Sequence, residues 1–437
     1  MPEQQPEAVA VRADADPGAV VVVGAGLAGA QTAAALREHG HRGPITLVGE
    51  EPHAPYDRPP LSKDLLLGKA EHSALDLDLA GLGVELRLGL RATGLDPARR
   101  RLTVRDATAS ADAAQELGYD TLVLATGASP VRLPGAEPGS GVHLLRTHDD
   151  ARALRSALRP GGHLAVVGAG WIGAEVATAA RAAGCAVTVL EAAATPLAGA
   201  LPPEYAERTR PWYAEAGAEL RTGCPVAELS ADGVRLADGS RLAADAVLLG
   251  VGARPATGWL AGSGIALGPD GAVLADAYLR ASQPGVYAVG DCASFPSARY
   301  GRRLTVQHWD NALAGARVLA AGLTGAPAAY DPVPYFWSDQ FGRMVQYLGH
   351  HPAGVRTVER GAPGPAGAGA SAGAGAAGTG WSVLWLDAAD LPVALLAVDR
   401  PRDLAQARRL IERGTRLDPR RAADPDVPLK SATAADS

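Results

Sequence analysis

Cysteine is scarce in this chain of 437 residues, which has three, at positions 185, 224 and 292. No two of them form a C-x-x-C pair, and none lies before Cys185. This spacing argues against a disulfide framework, a zinc site or a redox-active dithiol in the first part of the chain. We expect three small buried side chains and no metal site.

Long apolar runs and an excess of positive charge are also missing. No run reaches the ~18 residues that a membrane helix needs, and the formal net charge is −6. Residues 1–17 lack the basic and apolar regions of a secretory signal. We therefore expect a disordered tail at 1–17, a cytoplasmic protein, and neither a nucleic-acid nor a membrane partner.

Two segments resemble each other, residues 19–50 and residues 164–191. Each has a β-branched strand, a glycine-rich turn, an alanine-rich helix, a second strand and a final glutamate, which is the pattern of a βαβ unit. Short apolar runs that end in glycine, at 121–127, 246–252 and 285–291, are typical of parallel strands buried on both faces. The sequence predicts an α/β protein with two Rossmann-like dinucleotide-binding domains.

The amino-acid composition of the chain changes after residue 330. Residues 331–350 are rich in aromatics and predict strands, whereas 361–380 are almost only Gly, Ala and Pro and cannot offset their ordering entropy. Residues 403–414 predict a helix that stops at a glycine. The predicted organisation is a discontinuous first domain (18–128 and 251–330), a second domain (129–250), a small α+β C-terminal domain (331–415) with a flexible insertion (361–380), and a tail (416–437).

The first glycine-rich turn contains Gly24, Gly26 and Gly29, and Glu50 ends the second strand of that unit. In a dinucleotide fold these glycines allow the tight turn, the approach of a pyrophosphate and the packing of the helix, and the acid binds a ribose. The same roles fall in the second unit to Gly168, Gly170, Gly173 and Glu191. The alternative is a pair of glycine turns that only pack.

The segment after Glu191 bears on the choice of nicotinamide cofactor. It reads AAATPLAG and contains neither Arg nor Lys. An NADP site usually has a basic residue for the 2′-phosphate, and a carboxylate repels that group. The sequence therefore predicts NADH in preference to NADPH.

Further motifs, at 56–63, 121–135, 285–295, 306–316 and 399–411, resemble those of the ferredoxin/rubredoxin reductase family of FAD- and NAD-dependent flavoproteins. The resemblance covers about residues 18–415. It departs at the insertion 361–380 and at Gln307, where many relatives carry Glu. It implies electron transfer from NADH through FAD to a [2Fe–2S] ferredoxin that feeds an oxygenase such as a cytochrome P450.

The resemblance also implies which residues hold the cofactors. FAD is expected on the first unit, with Gly24, Gly26, Leu27, Ala28, Gly29, Glu50, Arg58, Lys63, Ala125, Thr126, Gly127, Arg132, Gly290, Asp291, His308 and Trp309. NAD is expected on the second, with Gly168, Gly170, Trp171, Ile172, Gly173, Glu175, Glu191 and Gly252.

Three of these residues are expected at the reacting rings: Lys63, Glu175 beside the nicotinamide, and Trp309 against the flavin. Other interpretations stay open at this point. Trp309 is alternatively part of the core, Glu175 an acid that gains from the helix dipole, and Asp291 a helix N-cap.

The stretch APYDRPPLSK, residues 54–63, combines three prolines with Arg58 and Lys63. Related disulfide reductases carry a redox C-x4-C after their first βαβ unit, and here this stretch takes its place. Prolines lower the entropy cost of ordering such a loop, and its cations favour a flavin that becomes anionic on reduction. Lys63 is also expected to pair with Glu175. The alternative is a solvated basic turn.

Arginines at 299, 302 and 303 precede Trp309 and predict a docking face for an acidic ferredoxin, with Arg343, Arg408 and Arg409 adding charge. The alternative is a solvated arginine face. We expect a monomer or weak homodimer. Two other functions use the same cofactors: an NADH oxidase or diaphorase, and a redox-responsive binding protein.

Overall fold

The structure is a computed structural model that describes residues 16–108, 114–137, 139–363 and 380–434. Most of the expected N-terminal tail (1–15) and of the expected insertion (364–379) lies outside the described residues. The chain forms two compact units. The first unit contains the residues up to Tyr56, Ala74–Ala128 and Pro255–Pro332, and the second contains Asp57–Ser73, Ser129–Arg254 and the residues from Val333 onward.

A parallel five-stranded sheet forms the centre of the first unit. Its strands are β1 (Val20–Val23), β2 (Ile45–Val48), β3 (Val84–Arg87), β7 (Thr121–Leu124) and β19 (Val286–Ala288), in the order β19-β7-β1-β2-β3. All four valines of β1 are buried because both faces of the sheet are covered. Val20 and Val22 face helices α1 (Leu27–Glu38) and α6 (Trp309–Leu323).

Val21 and Val23 face the opposite side, where two small three-stranded sheets complete the first unit. One contains β4 (Leu90–Asp96), β5 (Arg101–Asp106) and β6 (Gln115–Gly118), and the other contains β18 (Val273–Leu274), β20 (Ala293–Ser297) and β21 (Arg302–Thr305). Strands β8 (Ala128–Pro130) and β17 (Ala253–Pro255) form a two-stranded sheet at the two places where the chain passes between units.

The second unit contains another parallel five-stranded sheet. Its strands are β9 (Val142–His143), β10 (His163–Val167), β11 (Ala186–Leu190), β12 (Glu219–Arg221) and β16 (Ala246–Leu249), in the order β12-β11-β10-β16-β9. Around it lie helices α2 (His148–Ala157), α3 (Trp171–Ala182), α4 (Pro203–Ala206) and α5 (Arg210–Glu215), and a sheet of β13 (Val226–Ser230), β14 (Gly233–Leu236) and β15 (Arg241–Ala243).

An antiparallel sheet forms the C-terminal part of the second unit. It contains β22 (Tyr335–Gln340), β23 (Arg343–Gly349), β24 (Arg356–Arg360), β25 (Trp381–Leu386) and β26 (Pro392–Val398), in the order β22-β23-β26-β25-β24. Helix α7 (Pro401–Arg413) packs on it and ends at Gly414 in the left-handed conformation, as the sequence predicted. The predicted α/β fold with two Rossmann-like cores and a C-terminal α+β domain is confirmed.

Two segments differ from the domain organisation expected from the sequence. Residues 57–73 group with the second unit, because Leu66 packs into that unit's core. Residues 416–434 are not a tail: they include α8 (Pro419–Ala423), and Leu417 and Leu429 are buried in the cluster that contains α7. Among the described residues, no helix combines the length and the hydropathy that crossing a membrane requires.

Candidate functional site

The turn between β1 and α1 contains the first predicted phosphate loop. Gly24 has a φ of +111°, and a Cβ there would lie 2.1 Å from the carbonyl oxygen of Ala125. A Cβ on Gly29 would lie 1.9 Å from the Gly24 oxygen, so this glycine lets α1 pack on the turn. A Cβ added to Gly26 would have no other atom of the described structure within 4 Å, its chain neighbours aside. Gly26 is the N-cap residue of α1, and no described side chain accepts a hydrogen bond from the free N–H groups at this cap. The open helix start fits a cofactor phosphate.

Glu50, the predicted ribose ligand, lies just beyond β2, after Gly49. Its Oε1 accepts a hydrogen bond from Arg91 Nε at 2.9 Å and forms an ion pair with Arg91 Nη2 at 2.7 Å. The sequence did not single out Arg91, which lies on β4, 41 positions away. The carboxylate is thus already oriented by a cation.

Several further residues of the expected FAD set lie at the same edge of the sheet. Ala125, Thr126 and Gly127 follow β7, and Asp291 follows β19, and the carboxyl ends of neighbouring parallel strands are where such folds bind ligands. A Cβ on Gly290 would lie 2.9 Å from the Cβ of Ala28, next to Leu27 at the start of α1.

Asp291 lies within the 3₁₀ turn Gly290–Cys292, whose N-cap is Val289, so it is not the helix N-cap of the alternative interpretation. His308 is the N-cap residue of α6 and Trp309 is the first helical residue. Burial lowers the pKa of His308 to about 4, although the negative charge of Asp291 opposes this shift. Trp309 remains partly exposed.

The second phosphate loop, between β10 and α3, repeats the first. Gly168 has a φ of +106°, and a Cβ on Gly173 would lie 2.0 Å from its carbonyl oxygen. Gly170 again has nothing within 4 Å of a Cβ. Trp171 and Ile172 begin α3, and the Ile172 side chain is 42% exposed. The loop has the open approach that a dinucleotide phosphate requires.

Glu191 directly follows β11 and faces this loop. Its Oε2 accepts from the backbone N–H of Ala169 at 2.8 Å, and its Oε1 accepts from that of Ala193 at 2.9 Å. Gly252, after β16, has nothing within 4 Å of a Cβ. The carboxylate therefore stands between the phosphate loop and the segment that follows β11, which is the place of a ribose ligand.

Glu175 is a buried carboxylate on α3, with 5% of its side chain exposed. Lys63 Nζ lies 2.6 Å from its Oε2, as predicted. The hydroxyl of Ser62 donates to the same oxygen at 2.5 Å, and that of Ser338 donates to Oε1 at 2.7 Å. The sequence did not indicate either serine. Three donors compensate the buried charge, so Glu175 does more than respond to the helix dipole.

The basic proline stretch contains a 3₁₀ helix, Pro59–Ser62, and from Asp57 onward it lies in the second unit. Arg58 donates from Nη1 to the carbonyl oxygen of Arg146, and Arg132 donates to that of Ala136 at 2.7 Å. Lys63 is 23% exposed, so the stretch is not a simply solvated turn. The expected contacts of Arg58, Lys63 and Arg132 with FAD stay predictions.

The arginines of the expected docking face differ in their surroundings. Arg299, Arg302 and Arg303 are all exposed on the hairpin of β20 and β21, and Arg303 also donates from Nη2 to the carbonyls of Ala275 and Ser294. Arg343 does not add to an exposed face. It is 7% exposed and bonds Glu215 at 2.5 Å, because burial of this cation requires a partner.

Comparisons with known proteins agree with this geometry. Residues 18–316 match the pyridine nucleotide-disulphide oxidoreductase family, and residues 335–433 match the reductase C-terminal family. The ferredoxin–NAD(+) reductase component of the p-cumate 2,3-dioxygenase system of Pseudomonas putida is 36% identical over 417 residues, 94% of this chain and 97% of that protein.

Two solved structures are also similar to this chain. The crystal structure of Fdr9 matches with a TM-score of 0.84 and 44% sequence identity, and the match covers 94% of this chain and 99% of the Fdr9 chain. The covalent putidaredoxin reductase–putidaredoxin complex has a TM-score of 0.85 at 33% identity, covering 95% and 98%. The chain therefore belongs to the pyridine nucleotide-disulphide oxidoreductases, among their ferredoxin reductases, which use FAD and NAD(H).

Proposed function

We propose that the protein is an NADH:ferredoxin reductase that delivers electrons to a [2Fe–2S] ferredoxin serving an oxygenase, such as a cytochrome P450. The observation that carries this proposal is the pair of open phosphate loops, at Gly26 and Gly170, in a chain without a cysteine before Cys185. Two dinucleotides bind, and no dithiol stands where disulfide reductases carry one. The likeness to a reductase joined to its redox partner putidaredoxin supports a protein acceptor.

The two units divide the cofactors in this proposal. The first unit holds FAD with the loop at Gly26, the Glu50 carboxylate on its ribose, and Asp291 and Trp309 at the carboxyl edge of the sheet. The second unit holds NADH on the loop at Gly170. FAD, when bound, accepts an electron pair as hydride and passes electrons on singly. One NADH thus reduces two ferredoxins and releases one proton.

The protein's own part is positioning and electrostatics. Glu175 lies in the first turns of α3, next to the phosphate loop, and this position supports our assignment of the Lys63–Glu175 pair to the nicotinamide end of the NAD site. The pair and its two serines form a rigid polar wall with no net charge. Such a wall orients the nicotinamide without acting as acid, base or nucleophile.

Glu191 supports the preference for NADH. Both of its oxygens accept backbone N–H bonds, so the carboxylate has a fixed orientation, which supports its role as the ligand of the adenosine ribose of NADH. A fixed carboxylate accepts a hydrogen bond from a 2′-hydroxyl and repels a 2′-phosphate.

Arg299, Arg302 and Arg303 are the residues that we propose for ferredoxin docking, since all three are exposed, although the Arg303 guanidinium also donates to backbone carbonyls. Electron-transfer interfaces are small and depend on charge complementarity. A cytoplasmic location and a monomeric or weakly dimeric state stay predictions from the sequence.

NADH-driven reduction of cytochrome c, measured anaerobically with and without a bacterial [2Fe–2S] ferredoxin, tests the proposal. A reductase gives strong stimulation by ferredoxin that falls with added salt. Absence of stimulation together with rapid NADH consumption in air would instead identify an NADH oxidase. Slow reoxidation with every acceptor, and dimerisation on NADH addition, would identify a redox-responsive binding protein.

A further inference from the structure

The segment of residues 191–197, here called the ribose loop, is held by an arginine from outside it. Arg210, the first residue of α5, donates from Nη2 to the carbonyl oxygen of Ala194 at 2.9 Å. That carbonyl belongs to the residue after Ala193, whose N–H binds the Glu191 carboxylate. Arg210 also lies 3.3 Å from the hydroxyl of Thr222 through Nη1. A cation therefore adjoins the place of the adenosine ribose.

An arginine beside this ribose is what a dinucleotide fold uses to accept a 2′-phosphate. Arg210 is nevertheless already occupied. Its Nε and Nη2 each bond a different oxygen of Glu207, both at 2.7 Å, in the bidentate geometry that makes such pairs strong. The bond to Arg210 lowers the pKa of Glu207, which keeps this carboxylate ionised.

The second arginine next to the ribose loop is paired in the same way. The backbone carbonyl of Arg221 accepts from the N–H of Glu191 at 2.8 Å. Its guanidinium bonds both oxygens of Glu219, at 2.8 and 2.9 Å. Arg210 and Arg221 thus each have a carboxylate of their own, and Glu191 adds a negative charge that neither arginine bonds in the described structure.

We propose that Glu207 is a specificity-determining residue, which withholds Arg210 from the 2′-phosphate of NADPH. This inference deepens the proposed preference for NADH and rests on it. In this account the chain retains the arginine of a phosphate subsite, and NADPH is disfavoured both by the Glu191 charge and by the neutralisation of Arg210. Removing the Glu207 charge exposes a net positive guanidinium to the subsite.

Binding of adenosine 2′,5′-bisphosphate, measured by calorimetry on the flavoprotein, tests the proposal without electron transfer. Glu207→Gln is expected to tighten this binding about three- to tenfold at low salt, because the partners are 37% and 42% exposed and partly screened. The gain shrinks at high salt. NADH, which lacks the 2′-phosphate, gains less than twofold.

Arg210→Gln gives the opposite sign. It removes the cation and leaves the Glu207 charge, so binding of the bisphosphate weakens by about twofold or more. The matched control is Glu228→Gln, which breaks the exposed Glu228–Arg235 pair on the hairpin of β13 and β14. This control leaves the binding unchanged.

Two results would overturn the proposal: folded Glu207→Gln protein with unchanged affinity for the bisphosphate, or an equal gain for NADH. If Glu207→Gln does not fold, unchanged affinity in Arg210→Gln is equally decisive. Failure of the proposed function looks different. In that case NADH does not reduce the flavin or no ferredoxin is reduced, while the bisphosphate affinities still respond to the two substitutions.

Discussion

Lys63 Nζ lies 2.6 Å from Glu175 Oε2, although the two residues are 112 positions apart. Lys63 is one of three lysines in the chain, with Lys69 and Lys430. The pair joins the basic proline stretch to the helix that follows the second phosphate loop, within a single unit. The buried Glu175 carboxylate depends on the Lys63 cation to compensate its charge, and the stability lost when this cation is removed can be measured.

Replacing Lys63 with methionine is expected to destabilise the second unit. Glu175 keeps its two serine donors but loses the only cation bonded to it in the described structure. Breaking a buried pair costs about 3–5 kcal/mol, and the lower end applies here because Lys63 is 23% exposed. The midpoint of thermal unfolding then falls by about 5–10 °C. Lys69→Met, at an exposed position shortly after this stretch in the same unit, is the control and leaves the midpoint within about 1 °C. Equal midpoints for both variants would show that the pair does not stabilise the fold.

The glycines of the second phosphate loop are predicted to separate binding from folding. A methyl group on Gly170 meets open space, so Gly170→Ala folds but obstructs the approach of the NADH pyrophosphate. We expect its dissociation constant for NADH to rise about tenfold or more, a loss of about 1.4 kcal/mol.

Gly173→Ala behaves in the opposite way, because its Cβ would lie 2.0 Å from the Gly168 oxygen. This variant loses thermal stability first. Calorimetry of NADH binding and thermal unfolding of both variants check the prediction. An unaffected NADH affinity in Gly170→Ala would exclude a phosphate at this loop.

His308 makes stability depend on pH in the acid range. Its pKa is lowered from 6.5 to about 4 by burial, so the unfolded chain binds more protons between these values. The stabilisation is complete above pH 6.5 and is lost as the pH falls towards 4. Between pH 7 and pH 5 the loss from this residue is about 2 kcal/mol.

Thermal unfolding over that pH range, compared between the native protein and His308→Gln, checks this prediction. The variant is expected to show the shallower decline. His39→Gln, at an exposed position of the same unit, retains the native slope. Identical slopes in all three proteins would contradict a buried neutral His308.

Charge reversal at Arg299 and Arg302 is predicted to impair electron delivery to ferredoxin but not the reduction of the flavin by NADH. The KM for ferredoxin rises about tenfold or more, and its dependence on salt becomes weaker because attraction is lost. The control, Arg99→Glu, changes an exposed turn of the same unit and leaves the KM within about twofold. An unchanged KM in the double variant would place the docking face elsewhere.

Local signals made the fold predictable. Each βαβ unit spans only about thirty residues and contains β-branched strands, a glycine turn and an alanine-rich helix. The helix that ends at Gly414 is recognisable from local sequence in the same way. Ser62 and Ser338 were not predictable as partners of Glu175, because 113 and 163 positions separate them from it.

Contacts between residues that are distant in sequence also explain two wrong expectations, the exposure of Arg343 and the tail after residue 415. The sequence predicts that Arg343 is a surface cation. Its burial depends on a contact with Glu215, which lies 128 positions away in the sequence. The segment after residue 415 has few apolar residues, so the sequence does not indicate that it packs on the domain. The Arg360 guanidinium holds this segment in place by donating to the backbone carbonyls of Ala422, Asp424 and Val427.

The most direct test of the account is anaerobic spectroscopy of a [2Fe–2S] ferredoxin mixed with catalytic protein and a limiting amount of NADH. We predict that two ferredoxins are bleached per NADH, at a rate that falls with ionic strength. If NADH bleaches the flavin while the ferredoxin spectrum stays unchanged at every ionic strength and with each ferredoxin tried, the electrons do not leave through such a partner and the central claim is wrong.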